Sequence, residues 1–264
     1  MSKIVAIVTG ASSGIGRYTA SALRDNGCVV YDFSRRNISL DGVKHITTDV
    51  TDENNISDSL NFVFDSEGRI DILVNCAGFG IAGAVEFTDS ADVKNQFEVN
   101  FFGTDNMCRA VIPYMRKNRI GRIVNISSVA SVTHIPFQTY YSATKAAIDS
   151  YTCALCNELK PFGISVTAVQ PGDICTDFTQ ARKKSFVGDD VYGNRISRSV
   201  LNMEKDEQKG MSADFAGKYI AQIALKSKVK PIYAIGFLYK AVCLLCKVFP
   251  CGVRNKIIGM LYAG

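Results

Sequence analysis

The chain has 264 residues, 47% of them hydrophobic and 21% charged, which is typical of a globular protein and excludes disordered, collagen-like and coiled-coil chains. A formal net charge of +5 over this length is too small to indicate a nucleic-acid-binding protein. Nine cysteines without a leader-like start favour free thiols in the cytoplasm, and no uncharged apolar stretch reaches the roughly 18 residues of a transmembrane helix.

Short apolar strands and amphipathic helices alternate along most of the chain. The predicted strands cover residues 3–9, 28–34, 45–49, 70–74, 122–127, 165–169 and 231–235. The predicted helices cover residues 14–25, 52–66, 91–117, 141–159 and 212–226. This alternation predicts an α/β fold with one doubly wound parallel sheet of about seven strands and helices on both faces, as a single domain over residues 1–264.

Two segments depart from that alternation. Residues 173–211 are polar and weakly periodic, which favours a flap over a site, either mobile or made of short helices. Residues 236–264 form a C-terminal tail that opens with an amphipathic helix. The apolar face of that helix comprises Leu238, Ala241, Val242, Leu245, Val248 and Phe249, and its other face carries Lys240 and Lys247.

The first predicted strand runs directly into a glycine-rich turn at residues 9–16, where a helix begins. Gly10, Gly14 and Gly16 allow a tight turn and a close approach of backbone to a pyrophosphate, which the exposed N–H groups of the helix would bind. Such a turn also occurs as a plain connection between a strand and a helix, so alone it indicates a dinucleotide site only weakly.

A second motif places Tyr141 four residues before Lys145, so both side chains share one face of a helix. A nearby ammonium group favours the phenolate, so we expect Lys145, together with a bound cofactor, to lower the pKa of Tyr141 toward neutrality. The adjacent Tyr140 has Thr144 as its partner four residues on, which brings no charge.

Together with two further motifs, these residues resemble the short-chain dehydrogenase/reductase family over about residues 3–235. The additional motifs are Asn75-Cys76-Ala77-Gly78, with Cys76 in place of a second Asn, and the Pro-Gly stretch at residues 171–176. The resemblance implies a Rossmann-type fold and hydride transfer between a nicotinamide and a carbonyl or carbinol carbon.

The resemblance also implies a catalytic set of Asn100, Ser128, Tyr141 and Lys145, with Tyr141 as general acid or base. Ser128, 13 residues before Tyr141, matches the family spacing better than Ser127. The same comparison implies NADP(H), because the small Ser34 followed by Arg35 ends the second strand, whereas Asp32 lies inside it. The residues assigned to the cofactor are Gly10, Ser12, Ser13, Gly14, Ile15, Gly16, Ser34, Arg35, Arg36, Asp49, Val50, Asn75, Ala77, Gly78, Tyr141, Lys145, Pro171, Gly172, Ile174 and Thr176.

The tail resembles that of hydroxysteroid dehydrogenase-type members, so the expected substrate is an apolar hydroxysteroid or bile-acid-like alcohol or ketone. A 3-oxoacyl-thioester or small-ketone reductase is the alternative within the family. Alternative hypotheses from other functional classes are a membrane-surface protein and a dinucleotide sensor without turnover. The complete catalytic set argues against a sensor, and we favour a tail that closes the pocket or packs on another subunit over one that binds a membrane.

Other expectations concern partners and pocket walls. By family analogy the protein forms a homodimer or homotetramer. We expect no metal, because the pairs Cys153/Cys156 and Cys243/Cys246 lie in apolar helical segments where residues three apart share a buried face. From position alone, the residues expected near the substrate are Phe79, His134, Phe137 and Tyr192.

Overall fold

The computed structural model describes residues 3–263, and a seven-stranded parallel sheet is its centre. The strands in chain order are β1 (Val5–Thr9), β2 (Val29–Ser34), β3 (Val43–Thr47), β4 (Ile72–Asn75), β5 (Ile81–Ala82), β6 (Gly121–Ile126), β7 (Ile164–Gln170), β8 (Ile174–Cys175), β9 (Lys183–Lys184), β10 (Met211–Ser212) and β11 (Ile232–Ala234). The sheet has the order β11-β7-β6-β4-β1-β2-β3, while β5 pairs with β9 and β8 with β10 beside it.

Helices cover both faces of this sheet. They are α1 (Gly14–Asp25), α2 (Glu53–Glu67), α3 (Ser90–Phe97), α4 (Gly103–Asn118), α5 (Ala130–Thr133), α6 (Thr139–Leu159), α7 (Phe178–Ala181), α8 (Arg195–Gln208), α9 (Ala213–Leu225), α10 (Phe237–Val248) and α11 (Cys251–Ala263). The predicted α/β fold with a doubly wound parallel sheet is therefore confirmed.

Strand β1 shows how the sequence builds two cores. All five of its residues are buried. Successive side chains of a strand point to opposite faces, so Ala6 and Val8 join the core under α1 and α9, whereas Val5 and Ile7 join the core under α2, α4 and α6. A nearly continuous apolar run is typical of a parallel strand that is covered on both sides.

The long helix predicted over residues 91–117 is interrupted. A π-helical turn, Glu98–Phe102, joins α3 to α4. A π turn inserts one extra residue into the helical spiral, and such turns frequently occur at functional sites. Hydrophobic periodicity does not reveal the turn, because one added residue changes the pattern too little.

The segment 173–211 is more ordered than its polarity suggests. It contains α8, a 14-residue helix that buries Ile196, Val200 and Met203. These residues are spaced as one helical stripe, a signal that the many charged neighbours obscured. The tail forms two helices, α10 and α11, and the first of them is the predicted amphipathic helix.

Within residues 3–263, no helix has the length and apolar character needed to cross a membrane.

Candidate active site

The glycine-rich turn lies at the carboxyl end of β1, where the backbone packs too closely for side chains. Gly10 has φ of 67°, and a Cβ on Gly16 would lie 2.5 Å from the carbonyl oxygen of Gly10. Helix α1 begins at Gly14, has no acidic residue in its first turn and receives no side-chain hydrogen bond from Ser13 at its N-cap. Its first N–H groups therefore suit an anion such as a pyrophosphate.

The end of β2 adds positive charge beside that turn. The Arg36 Nη2 lies 3.3 Å from the Ser12 hydroxyl and 3.4 Å from the Ser13 hydroxyl. Asp32 is buried, and its carboxylate accepts hydrogen bonds from the Ala11 N–H and the Ser34 hydroxyl. Asp32 therefore supports the glycine-rich turn from inside the protein. The charged group on the outer side of the turn is the Arg36 guanidinium, which is cationic.

Helix α6 carries Tyr141 and Lys145 on one face, as their spacing predicted. The Lys145 Nζ lies 5.6 Å from the centre of the Tyr141 ring and donates a 2.8 Å hydrogen bond to the Ile126 carbonyl. The Ser127 hydroxyl donates to the Lys145 carbonyl at 3.1 Å, whereas Ser128 hydrogen-bonds the Tyr141 hydroxyl. The serine beside the phenol is thus Ser128.

Lys145 does not lower the pKa of Tyr141 as expected, and the part of the expected lowering assigned to a bound cofactor stays a prediction. Burial raises the pKa of the Tyr141 hydroxyl to about 12, and its hydrogen bond with Ser128 offsets only part of that rise. Burial also lowers the pKa of Lys145 to about 8. Removing both groups from water disfavours both charged forms, and this burial is the largest cause of both pKa shifts. Tyr141 therefore holds its proton at neutral pH.

Asn100 lies in the π turn and is completely buried. Its Oδ1 accepts a 3.0 Å hydrogen bond from the Phe79 N–H, and its Nδ2 donates to the Phe79 carbonyl at 2.9 Å. A Cβ on the adjacent Gly78 would lie 3.1 Å from the Asn100 Oδ1 and 3.8 Å from the Lys145 Nζ. Asn100 thus holds the turn after β4 against Lys145 and lies behind the cavity wall.

One cavity of about 1120 Å³ joins these features. Of the predicted site residues, those on its surface are Gly10, Ser12, Ser13, Gly14, Ile15, Gly16, Ser34, Arg35, Arg36, Asp49, Val50, Ala77, Gly78, Ser128, Tyr141, Lys145, Pro171, Gly172, Ile174 and Thr176. Asn75 was predicted to contact the cofactor, but it lies off this surface. Its Nδ2 donates a 2.9 Å hydrogen bond to the Asn125 Oδ1 instead. Its amide thus joins β4 to β6 inside the sheet.

Of the four residues that we expected near the substrate from position alone, one lines the cavity. Phe79 lines the cavity, but His134, Phe137 and Tyr192 do not. The Tyr192 hydroxyl donates to the Glu86 carboxylate at 2.8 Å, and the Phe137 ring packs 5.7 Å from the Tyr192 ring. These rings hold the segment before α8 against the body of the protein instead.

Sequence reasoning missed an acidic group on the wall of the cavity. Asp173, Asp206 and Glu207 line it, and Asp173 and Glu207 lie close enough to Tyr141 to affect its pKa. Glu207 forms an ion pair with Arg182, whose side chain is almost fully buried. Burial raises the pKa of Asp173. These residues come from segments far apart in the chain, so spacing alone could not group them.

The tail closes the other end of the cavity, one of the two roles that we favoured from sequence. Its apolar side chains on the cavity wall are Leu238, Val242, Leu245, Phe249, Ile257, Ile258 and Leu261. Two hydroxyls tie it to the flap: Tyr239 donates to Asp173 at 2.6 Å and Tyr262 to Asp206 at 3.3 Å. A polar reacting centre therefore continues into a long apolar compartment.

Comparisons with known proteins agree with this geometry. A family model described as short chain dehydrogenase matches residues 4–185. A 3-ketodihydrosphingosine reductase of Bacteroides thetaiotaomicron is 39% identical over 242 residues, covering 88% of this chain and 90% of that protein. An NADPH-dependent 1-acyldihydroxyacetone phosphate reductase of Saccharomyces cerevisiae is 33% identical, covering 85% of this chain and 80% of the relative.

A solved structure gives the same result for the fold. The crystal structure of a short-chain dehydrogenase from Streptomyces avermitilis superposes with a TM-score of 0.83 at 31% identity, over 94% of each chain. Neither relative is described as acting on a steroid, so the hydroxysteroid resemblance of the tail stays a prediction. The motifs, the sheet and these matches agree: the chain belongs to the short-chain dehydrogenase family and is an oxidoreductase of that family.

Proposed function

We propose that this protein uses NADPH to reduce the keto group of a long-chain lipid, with a keto sphingoid base such as 3-ketodihydrosphingosine as the first candidate. The observation that carries the proposal is the shape of the cavity, which runs from Tyr141 and Ser128 to the apolar faces of α10 and α11. A single alkyl chain fits such a compartment while its polar end stays at the reacting centre. The 39% identical relative supports this substrate class.

The residues present fit NADP(H). The backbone of residues 10–16 suits the pyrophosphate, and Arg36 with the Ser12 and Ser13 hydroxyls suits the 2′-phosphate. The carboxylate of Asp32 is occupied inside the sheet and is not on the cavity surface, so it does not compete with that phosphate. When bound, the cofactor supplies the hydride.

In this mechanism the protein supplies the proton and the orientation. Ser128 holds the ketone oxygen, and Tyr141, protonated because its pKa is about 12, donates its proton to that oxygen. The Lys145 ammonium then stabilises the phenolate that remains, and its bond to the Ile126 carbonyl fixes its position. Asn100 keeps the turn at Phe79 in place without touching the substrate.

Charge at the cavity wall favours an amino ketone over a phosphate ester. Asp173 and Glu207 lie near Tyr141, where the headgroup of a bound lipid would sit, and the charge of Glu207 is shared with Arg182 in an ion pair, so the attraction comes mainly from Asp173. A sphingoid base carries an ammonium group beside its ketone, which this wall attracts. The anionic headgroup of an acyldihydroxyacetone phosphate would meet like charge there.

The test is a substrate panel followed by absorbance of the reduced nicotinamide. It contains 3-ketodihydrosphingosine, an acyldihydroxyacetone phosphate, a 3-oxoacyl thioester, a ketosteroid and a short ketone, each with NADPH and NADH. The variant Val242→Trp narrows the apolar compartment, and Leu201→Trp is its matched control because Leu201 is exposed, lies off the cavity and is outside the tail.

We expect NADPH-dependent turnover of the keto sphingoid base, a raised KM for it in Val242→Trp, and unchanged kinetics in Leu201→Trp. Preferred turnover of the ketosteroid or the thioester would overturn the lipid assignment in favour of those substrates. Tight NADPH binding without turnover of any ketone would identify a dinucleotide sensor. A cytoplasmic location and a homodimer or homotetramer complete the proposal, with light scattering as the check on assembly.

A further inference from the structure

The outer surface of the tail is apolar and exposed. Phe237 is 91% exposed and Val248 72%, values that are extreme for such side chains in a folded chain. The other exposed apolar residues of α10, the adjoining turn and α11 are Leu238, Leu244, Leu245, Phe249, Val253, Ile257, Met260 and Leu261. Burying this surface against a partner would be favourable, because its apolar area would leave water.

The tail is also uniformly basic. Residues 237–264 contain four basic residues, Lys240, Lys247, Arg254 and Lys256, and no acidic one. They supply four of the five net positive charges of the whole chain. The rest of the sequence is therefore nearly neutral, and the positive charge coincides with the apolar surface.

The arrangement of these groups on α10 is that of a helix lying in an interface. Phe237, Leu244 and Val248 are seven and four residues apart, so they form one exposed stripe. Lys240 and Lys247 are seven apart and border that stripe. A helix with an apolar face and lysines at its edge lies in the plane of a membrane surface, with its lysines at the headgroups.

This surface continues into the mouth of the cavity. Leu238, Leu245, Phe249, Ile257 and Leu261 are at least 45% exposed and also line the cavity. These side chains belong both to the cavity wall and to the exposed surface of the tail, so the apolar compartment reaches the protein surface at α10 and α11. A lipid leaving a bilayer at this point would reach Tyr141 without crossing water.

We propose that α10 and α11 dock on the surface of an anionic lipid bilayer, with the cavity mouth facing it. The positive charge of the tail favours an anionic bilayer over a second copy of the chain as the partner of this surface. A two-fold contact would bring the same basic surface together from both sides, whereas anionic headgroups neutralise it. The docking is a property of the tail and does not depend on which ketone the protein reduces.

The test is co-sedimentation of the full-length protein with vesicles, without any substrate. Vesicles of phosphatidylcholine alone are compared with vesicles that also contain phosphatidylglycerol, at low and high salt. The variants are Lys240→Gln/Lys247→Gln and Phe237→Ser/Leu244→Ser/Val248→Ser, whose residues lie off the cavity surface. Lys94→Gln/Lys228→Gln and Phe62→Ser/Val191→Ser, exposed elsewhere, are the matched controls.

We expect binding to the anionic vesicles that weakens with salt and falls about fivefold for each lysine removed. The serine variant should lose binding, while both controls and the reduction of a short ketone stay unchanged. Equal binding to both vesicle types, or none to either, would overturn the proposal. So would a serine variant that becomes smaller in light scattering, because the stripe would then be a contact between subunits.

Discussion

The edge of the sheet that carries the glycine-rich turn and the C-terminal tail line the same cavity in different ways. At the sheet edge the backbone itself forms the wall, so that a Cβ on Gly16 would meet the Gly10 carbonyl at 2.5 Å. In the tail the side chains form the wall, and a Cβ on Gly252 or Gly259 would meet nothing within 4 Å. A site for a fixed cofactor requires close contacts, whereas a compartment for alkyl chains requires only apolar surface.

This difference has a consequence for mutation. Changes at the sheet edge should cost activity or stability heavily, because neighbouring backbone cannot move aside. Substitutions in the tail should change stability little or even raise it, although they can alter how the protein binds its lipid substrate or a bilayer.

Tyr141→Phe should lower turnover by a factor of about 10² to 10⁴, because the proton donor is lost while the ring remains. Binding of NADPH, followed by nicotinamide fluorescence, should persist. Tyr140→Phe is the control: its hydroxyl makes one long contact to the Val85 carbonyl at 3.4 Å and lies off the cavity. Comparable losses in both variants would mean that Tyr141 has no special role.

Lys145→Met should change how stability depends on pH. Burial lowers the pKa of Lys145 from 10.5 to about 8, so between these values the unfolded chain binds more protons than the folded chain. The contribution of Lys145 to the free energy of unfolding should therefore gain about 3 kcal/mol as the pH rises through this window. Buried thiols such as Cys76, whose pKa burial raises to about 12, change stability in the opposite direction above pH 9 in every variant, so the Lys145 contribution is the difference between the wild-type and Lys145→Met profiles. Denaturant unfolding at several pH values measures it.

In Lys145→Met this gain should be absent, since the titrating group is gone. Lys94→Met, on an exposed position of α3, should keep the wild-type profile. A profile in Lys145→Met that parallels the wild type would show that Lys145 is not the group responsible.

Arg36→Leu should weaken NADPH binding by roughly 1.5–3 kcal/mol, the range for a hydrogen bond to a charged group. NADH lacks the 2′-phosphate, so its affinity should stay nearly constant. Isothermal titration with both nucleotides measures the difference. Equal weakening for both would place Arg36 away from the 2′-phosphate and favour a general electrostatic role.

Gly16→Ala should destabilise the protein by about 1–3 kcal/mol, because the added methyl group overlaps the Gly10 backbone. Affinity for NADPH should fall as well, since the turn must shift. Thermal unfolding with and without NADPH measures both effects. A variant with unchanged melting and affinity would contradict the tight packing of the turn.

Gly259→Ala should have the smallest effect, and of opposite sign. Gly259 lies inside α11 with open space around it, so alanine should stabilise the helix by roughly 0.5–1 kcal/mol. The measurement is the melting temperature beside that of Gly16→Ala. A loss of stability would mean that the tail packs as tightly as the sheet edge.

The sequence alone was sufficient for much of the site. The glycine-rich turn and the pair Tyr141 and Lys145 were readable because they depend on neighbours within one turn or helix. The choice of Ser128 over Ser127 also agrees with the structure, since only Ser128 reaches the Tyr141 hydroxyl. Helix α8 could also have been predicted, because Ile196, Val200 and Met203 have the spacing of one helical stripe.

Other features needed the folded chain. The high pKa of Tyr141 follows from burial by several segments, which no local pattern reports. The π turn at Asn100 and the hydrogen bond between Asn75 and Asn125 both depend on packing between elements that are distant in sequence. The acidic wall of Asp173 and Glu207 likewise depends on where the flap folds back.

Hydrophobic periodicity was enough to predict the parallel sheet, and the resemblance of short motifs was enough to indicate the family and to propose the reacting side chains. Only the tertiary structure decided which charges are buried, which amide faces away from the cavity and how the tail meets the flap. Desolvation and contact depend on chain segments that are far apart in sequence, so their outcome exists only once those segments are packed together.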